Sequence, residues 1–159
     1  MEFICREWIT VENIRNLFKK YSVPPNFDLL SVDIDYNDFW ILQQLVPVYS
    51  PRVIIAEVNS HIPPEESRVV KPDPQGWDGI SSYFGGSVSA FYKLLKLYNY
   101  SLIYCESHGV NCFFVRNDAL GVNSSDLILP QDVHVKPNFF GKGWDYKNLS
   151  RSEDTWIWI

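Results

Sequence analysis

Asp28-Leu29-Leu30-Ser31-Val32-Asp33-Ile34-Asp35-Tyr36-Asn37-Asp38 is the stretch from which the fold is read. From Phe27 to Ile34 the chain is largely apolar, broken by Asp28, Ser31 and Asp33, and it then stops in acid. A strand of a parallel sheet reads this way, because helices on both faces remove the apolar–polar alternation. Arg52-Val53-Ile54-Ile55-Ala56-Glu57-Val58 is a second such run, rich in β-branched residues. Between the two, a short helix is expected from Asn37 or Asp38 through Leu45. It carries Phe39, Trp40, Leu42 and Leu45 and is closed by Pro47.

Working outward, Phe3-Ile4-Cys5 reads as a short strand. Thr10 offers an N-cap to a helix bearing Val11, Ile14, Leu17, Phe18 and Tyr21, which Pro24-Pro25 ends. Ser60 to Gly86 is rich in Pro, Gly and Ser without a period and reads as a long loop, of a length usually functional or mobile. A helix follows from about Ser87, with Val88, Phe91, Leu94, Leu95 and Tyr98 on one face. Ser101 to Glu106 and Val110 to Arg116 are two strands, and Ser107-His108-Gly109 joins them as an antiparallel hairpin. The alternation predicts an α/β fold: a mostly parallel sheet, helices on both faces, and an antiparallel hairpin at its C-terminal end. Residues 1–122 form that domain and 123–159 an aromatic-rich extension with Phe139, Phe140, Trp144, Tyr146, Trp156 and Trp158. Aromatics in such a tail serve packing more often than recognition.

The chain has 159 residues, 46% of them apolar, enough for one domain with a buried core. Its net charge of −5 and the lack of a basic patch argue against a nucleic-acid binder. No segment approaches the roughly 18 apolar residues that span a bilayer, and no signal peptide follows Met1, so a cytoplasmic, membrane-free protein is expected. Cys5, Cys105 and Cys112 lie in apolar runs without CxxC spacing and are expected to be reduced, buried thiols. His61, His108 and His134 share no ligand spacing with them, which argues against zinc.

Open α/β sheets bind ligands beyond the carboxyl ends of their strands. That rule singles out Asp33, Asp35, Asn37 and Asp38 after the first run, and Glu57 and Asn59 after the second. If the two strands are neighbours, these groups form an oxygen-rich cluster suited to Mg²⁺, Ca²⁺ or Mn²⁺, or to the amino group or hydroxyls of a small ligand. Asn37 or Asp38 is expected to cap the following helix. Asp33 and Glu57, within apolar runs, each call for a partner, because a desolvated lone carboxylate costs several kcal/mol. Asn59 is divided between turn former and ligand contact. Tyr83-Phe84-Gly85-Gly86-Ser87 could receive an anion at a helix start, but a tight turn is the simpler reading. His108 is either a general base or an exposed turn residue.

These stretches resemble a known family. Asp28 to Asp35 followed by Asn37-Asp38-Phe39-Trp40, Pro51 to Asn59, Tyr83 to Ser87 and His108 to Arg116 are similar, in order, to segments of FkbM-like domains of the class I S-adenosylmethionine-dependent methyltransferases. The resemblance runs from about Phe3 to Leu120. It implies a seven-stranded Rossmann-like sheet of which Phe3–Cys5 would be the third strand, the first two lying outside this chain. It further implies that Asp33 and Asp35 bind the methionine end of the cofactor. Glu57 and Asn59 would then face the acceptor, and Asp33, Glu57 and Asn59 would serve catalysis. Asp35, Glu57 and Asn59 would be the ligands of any divalent metal. The chain has no GxGxG-like segment, and Tyr36 stands where the family usually has glycine.

The expected activity is therefore methyl transfer to an oxygen or nitrogen of a small-molecule or glycan acceptor, in an intact, truncated or inactive domain. Two alternatives stay open. One is a non-catalytic interaction module, self-associating or covered by a partner chain where strands are missing. The other is a metal-dependent nucleotide-sugar transferase, suggested only by the acid-x-acid pattern Asp33-Ile34-Asp35.

Overall fold

The two apolar runs flanking the acid-rich segment form neighbouring parallel strands. In the computed structural model, which describes residues 4–121, 128–137 and 155–159, β1 (Leu29–Val32) pairs with β2 (Val53–Glu57) in the register Leu29↔Val53 to Val32↔Ala56. β4 (Tyr100–Cys105) and β5 (Asn111–Arg116) form the expected hairpin, and β5 turns back between β2 and β4. The sheet order is β1-β2-β5-β4. One pair is parallel and two are antiparallel, so the sheet is mixed rather than mostly parallel.

Three helices supply most of the cover. α1 (Ile14–Lys20) is preceded by a reciprocal exchange: Thr10 N–H donates to Asn13 Oδ1 and Asn13 N–H to Thr10 Oγ1. The N-cap is thus Asn13, without a side-chain cap bond, and not Thr10 as expected; Thr10 instead closes the turn that leads into the helix. α2 (Asp38–Leu45) buries Phe39, Ile41, Leu42 and Leu45, and α3 (Val88–Lys96) buries Phe91, Leu94 and Leu95. These side chains share one core with Leu30, Val32, Ile54, Ala56, Leu102 and Phe114, which are alternate residues of the four strands. A single face of the sheet is therefore filled.

The opposite face differs from the expectation. Val53, Ile55, Phe113 and Val115 are only half-buried, and Leu29 and Tyr104 are 54% and 51% exposed. Among the described residues no helix seats a buried side chain there; α4 (Asn117–Leu120) buries none, and α5 (Pro130–Val133) packs against α3 and β4. Ile4 and Cys5 carry no strand, while Phe3 lies outside the described residues.

The segment from Ser60 to Gly86 is not a structureless loop. It contains β3 (Arg68–Val70), which pairs antiparallel with β6 (Trp156–Trp158) from the end of the chain. Arg68 stacks its guanidinium 4.5 Å from the Trp156 ring and ion-pairs with Glu66 at 2.7 Å. The pairing is non-local, and a three-residue strand shows no period for the sequence to reveal. Val69 approaches Gly86 so closely that a Cβ there would lie 2.7 Å from Val69 Cγ1, so the Gly85-Gly86 pair serves a tight approach. The helix start behind it is filled by Ser87, whose hydroxyl accepts from Ala90 N–H. Phe139, Phe140, Trp144 and Tyr146 lie outside the described residues.

Cys105 and Cys112 are joined in a disulfide rather than kept as thiols, and Cys5 is free and exposed rather than buried. A bulge at Ile103 explains what the sequence hid. In a straight strand Cys105 would face away from Leu102, but the extra residue shifts the period and sets it opposite Cys112 on the filled face. No described helix is long and apolar enough to cross a membrane.

Candidate functional site

β1 ends at Val32 and β2 at Glu57, and extending their register by one residue sets Asp33 level with Glu57. Asp35 follows at φ 67°, a left-handed conformation that an aspartate accepts at modest cost and that bends the chain over the strand ends. Carboxylate oxygens of Asp33, Asp35 and Glu57 all lie within 4.8 Å of one another. Among the described residues no ion pair holds any of the three.

Asp33 and Asp35 are exposed as whole residues, so the desolvation argument that singled out Asp33 applies to it only weakly. It applies more to Glu57 and, most strongly, to Asp38. Asp38 is fully buried; Oδ1 accepts from Ile34 N–H at 2.9 Å, and Oδ2 has no hydrogen-bond partner. It closes the β1–α2 turn, and no side chain caps α2. Burial raises its pKa to about 7, the Ile34 N–H opposing the rise and the Asp33 and Asp35 charges adding to it. Glu57 is raised to about 8, first by burial and then by the charges of Asp38, Asp33 and Asp35; the Asp35 N–H partly offsets this. Its Oε2 is buried without a partner. Asp33 moves upward for the same two kinds of reason, burial and the charge of Asp35.

The two asparagines fasten the loop over this cluster. Asn37 donates to Asp73 O at 2.7 Å and accepts from Asp73 N–H, clamping the β1–α2 turn to the long loop. Asn59 is fully buried; its amide donates to the carbonyls of Ser82 and Phe84, and its oxygen accepts from His61 N–H. Asn59 therefore stands at the expected strand end with both amide protons engaged in holding the loop base.

Beside Asp35 the clamped loop and the N-terminal segment border an open cavity of about 470 Å³. Trp8, Ile9, Asp35, Asn37, Gln75 and Trp77 line it. Neither tryptophan was a candidate from the sequence, because residues 8 and 77 sit in stretches without periodicity and meet only through the fold. Asn111 was also undervalued: it lies directly across from Glu57 in the β2–β5 register. His108 is an exposed turn residue whose Nδ1 lies 2.8 Å from Glu106 Oε2, outside the grouped acids.

Three carboxyl groups, that of Glu57 with one unsatisfied buried oxygen, and the unsatisfied Oδ2 of the neighbouring Asp38 form a cluster suited to positive charge. A hard divalent cation is one occupant such oxygens suit, and an ammonium or sulfonium group is another. A scan against family models, a search of curated proteins and a search of solved structures each find no match to the chain.

Proposed function

We propose that this chain is a methyltransferase-like domain, transferring the methyl group of S-adenosylmethionine to an oxygen or nitrogen acceptor at the carboxyl ends of β1 and β2. The observation that carries the reading is the grouping of Asp33, Asp35 and Glu57 across two adjacent parallel strands, beside a cavity. Parallel strands followed by a hairpin whose last strand runs antiparallel also support a Rossmann-like sheet of this kind. The fit to the cofactor is electrostatic. Its methionine end bears an ammonium and a sulfonium, and Asp33 offers a carboxylate to that end. The chain offers no GxGxG-like segment, so the fit is to that end alone.

When bound, the cofactor supplies an electrophilic methyl group. The chain's own part is to hold the acceptor in line and to receive its proton. Glu57 is the carboxylate for the second task, since one oxygen is left without a partner at the strand end. Calorimetric titration with S-adenosylmethionine, with and without Mg²⁺, tests the reading. Saturable binding that weakens about tenfold or more in Asp33→Asn is expected, the scale of a lost charge-assisted hydrogen bond. Absence of binding under both conditions overturns it.

The open sheet face favours a second reading, a non-catalytic interaction module. Leu29 on the edge strand and Tyr104 across the sheet are apolar and more than half exposed, and such faces are normally covered. Sedimentation at rising concentration tests self-association, and a strict monomer counts against it.

A further inference from the structure

We propose that the cavity beside Asp35 is a receptor for an organic cation, and, resting on the methyl-transfer reading, that the acceptor is an amine rather than a hydroxyl compound. The lining carries the argument. Trp8 and Trp77 contribute aromatic surface, Ile9 and Ile34 apolar surface, and Asp35 and Glu7 the charge. Among the described residues no lysine, arginine or histidine lines the space. Glu7 is already engaged, by Lys20 Nζ at 2.6 Å and by the Tyr21 hydroxyl, whereas Asp35 has no ion-pair partner among the described residues.

Aromatic faces attract a cation through their negative quadrupole, and a carboxylate at one end fixes where the charge sits. An anionic or phosphorylated ligand would meet Asp35, Asp33 and Glu57, and among the described residues the nearby Lys20 is already paired with Glu7. A neutral polyol would lose the charge complementarity and leave the exposed Trp8 face with only apolar contact. Asp35 also borders both the cavity and the acid cluster. An ammonium seated against it would therefore place a nitrogen near Glu57, the group proposed to take a proton from it. Methyl transfer to such a nitrogen forms the N–C bond, breaks the S–C bond of the sulfonium, and sends the proton to the carboxylate.

The test uses choline and its neutral carbon isostere 3,3-dimethylbutan-1-ol, which match in shape and differ in charge, titrated against the full chain by tryptophan fluorescence. Preference for the cation by about tenfold is expected, with loss of that preference in Asp35→Asn and weaker binding in Trp8→Leu. Trp8 is 73% exposed, so its replacement leaves the fold intact and keeps the test valid if Asp35→Asn unfolds. Equal binding of the two probes, no saturable cation binding, or indifference to both substitutions overturns the proposal. Displacement of choline by S-adenosylmethionine assigns the cavity to the cofactor and overturns the acceptor assignment. Selective cation binding without any binding of S-adenosylmethionine leaves the receptor standing and defeats the methyl-transfer reading instead.

Discussion

Glu57 and Glu106 each sit at the carboxyl end of a strand, and the fold treats them in opposite ways. Burial alone would raise Glu106. However, it accepts N–H groups from His108, Val110 and Asn111 and contacts the His108 ring, and its pKa falls below the usual carboxylate range. Glu57 receives one backbone N–H, keeps a buried oxygen without a partner, and rises to about 8 beside three other acids. The first carboxylate is consumed in building a turn. The second is held at a cost, for which the proposed role as proton acceptor would account.

Breaking the contrast on the Glu57 side should give the largest effect. A carboxyl whose folded pKa is raised binds its proton more tightly in the folded state. The stability it contributes is complete below the unfolded value of 4.5 and is lost as pH rises through about 8. Glu57→Gln should therefore raise unfolding free energy at pH 9 by on the order of 2–4 kcal/mol and change little at pH 4. Urea denaturation across that range checks it, and an unaltered pH slope would remove the contrast.

Opening the hairpin from the other side should cost somewhat less. The disulfide closes a short loop, with a sequence separation of 7, around the Glu106 turn. Chain entropy alone gives it about 2.5 kcal/mol, so Cys105→Ser with Cys112→Ser should lower the urea midpoint accordingly. Retention of wild-type stability in that variant would mean the bond does not constrain the unfolded chain.

Glu106→Ala should destabilise by about 1–2 kcal/mol, since it leaves turn N–H groups to be satisfied by water. For this depressed group the sign is reversed: its contribution is present above the unfolded value and fades as pH falls toward its folded pKa. The difference between Glu106→Ala and wild type should thus shrink in acid, while that for Glu57→Gln grows in base. The smallest effect is expected at Glu7. Its pair with Lys20 is exposed to solvent, and Glu7→Gln should leave the thermal midpoint unmoved.

Much of the frame was legible. The runs at Leu29–Val32 and Val53–Glu57, the helices after Asn37 and Ser87, and the hairpin around His108 all follow from period, caps and turn residues. The acids that group together, Asp33, Asp35 and Glu57, were also among the candidates, because strand ends can be found from strands. What escaped has identifiable causes. A one-residue bulge at Ile103 reversed the facing of Cys105. β3 found its partner about ninety residues away in the chain, beyond any local pattern. Asp38 looked like a cap because a buried acid and a capping acid occupy the same position at a helix start; only the Ile34 N–H and the empty side of Oδ2 distinguish them.

The sequence by itself determined where the chain is extended or helical and that acid follows two of its strands, since both are set by neighbours within a turn or two. Tertiary structure alone decided that these two strands are adjacent, that β5 reverses between β2 and β4, and that, among the described residues, one sheet face is filled while the other is left uncovered. It also decided which carboxylates find donors. That last distinction depends on desolvation and on through-space charge, quantities that exist only when remote segments close around a group and exclude its water.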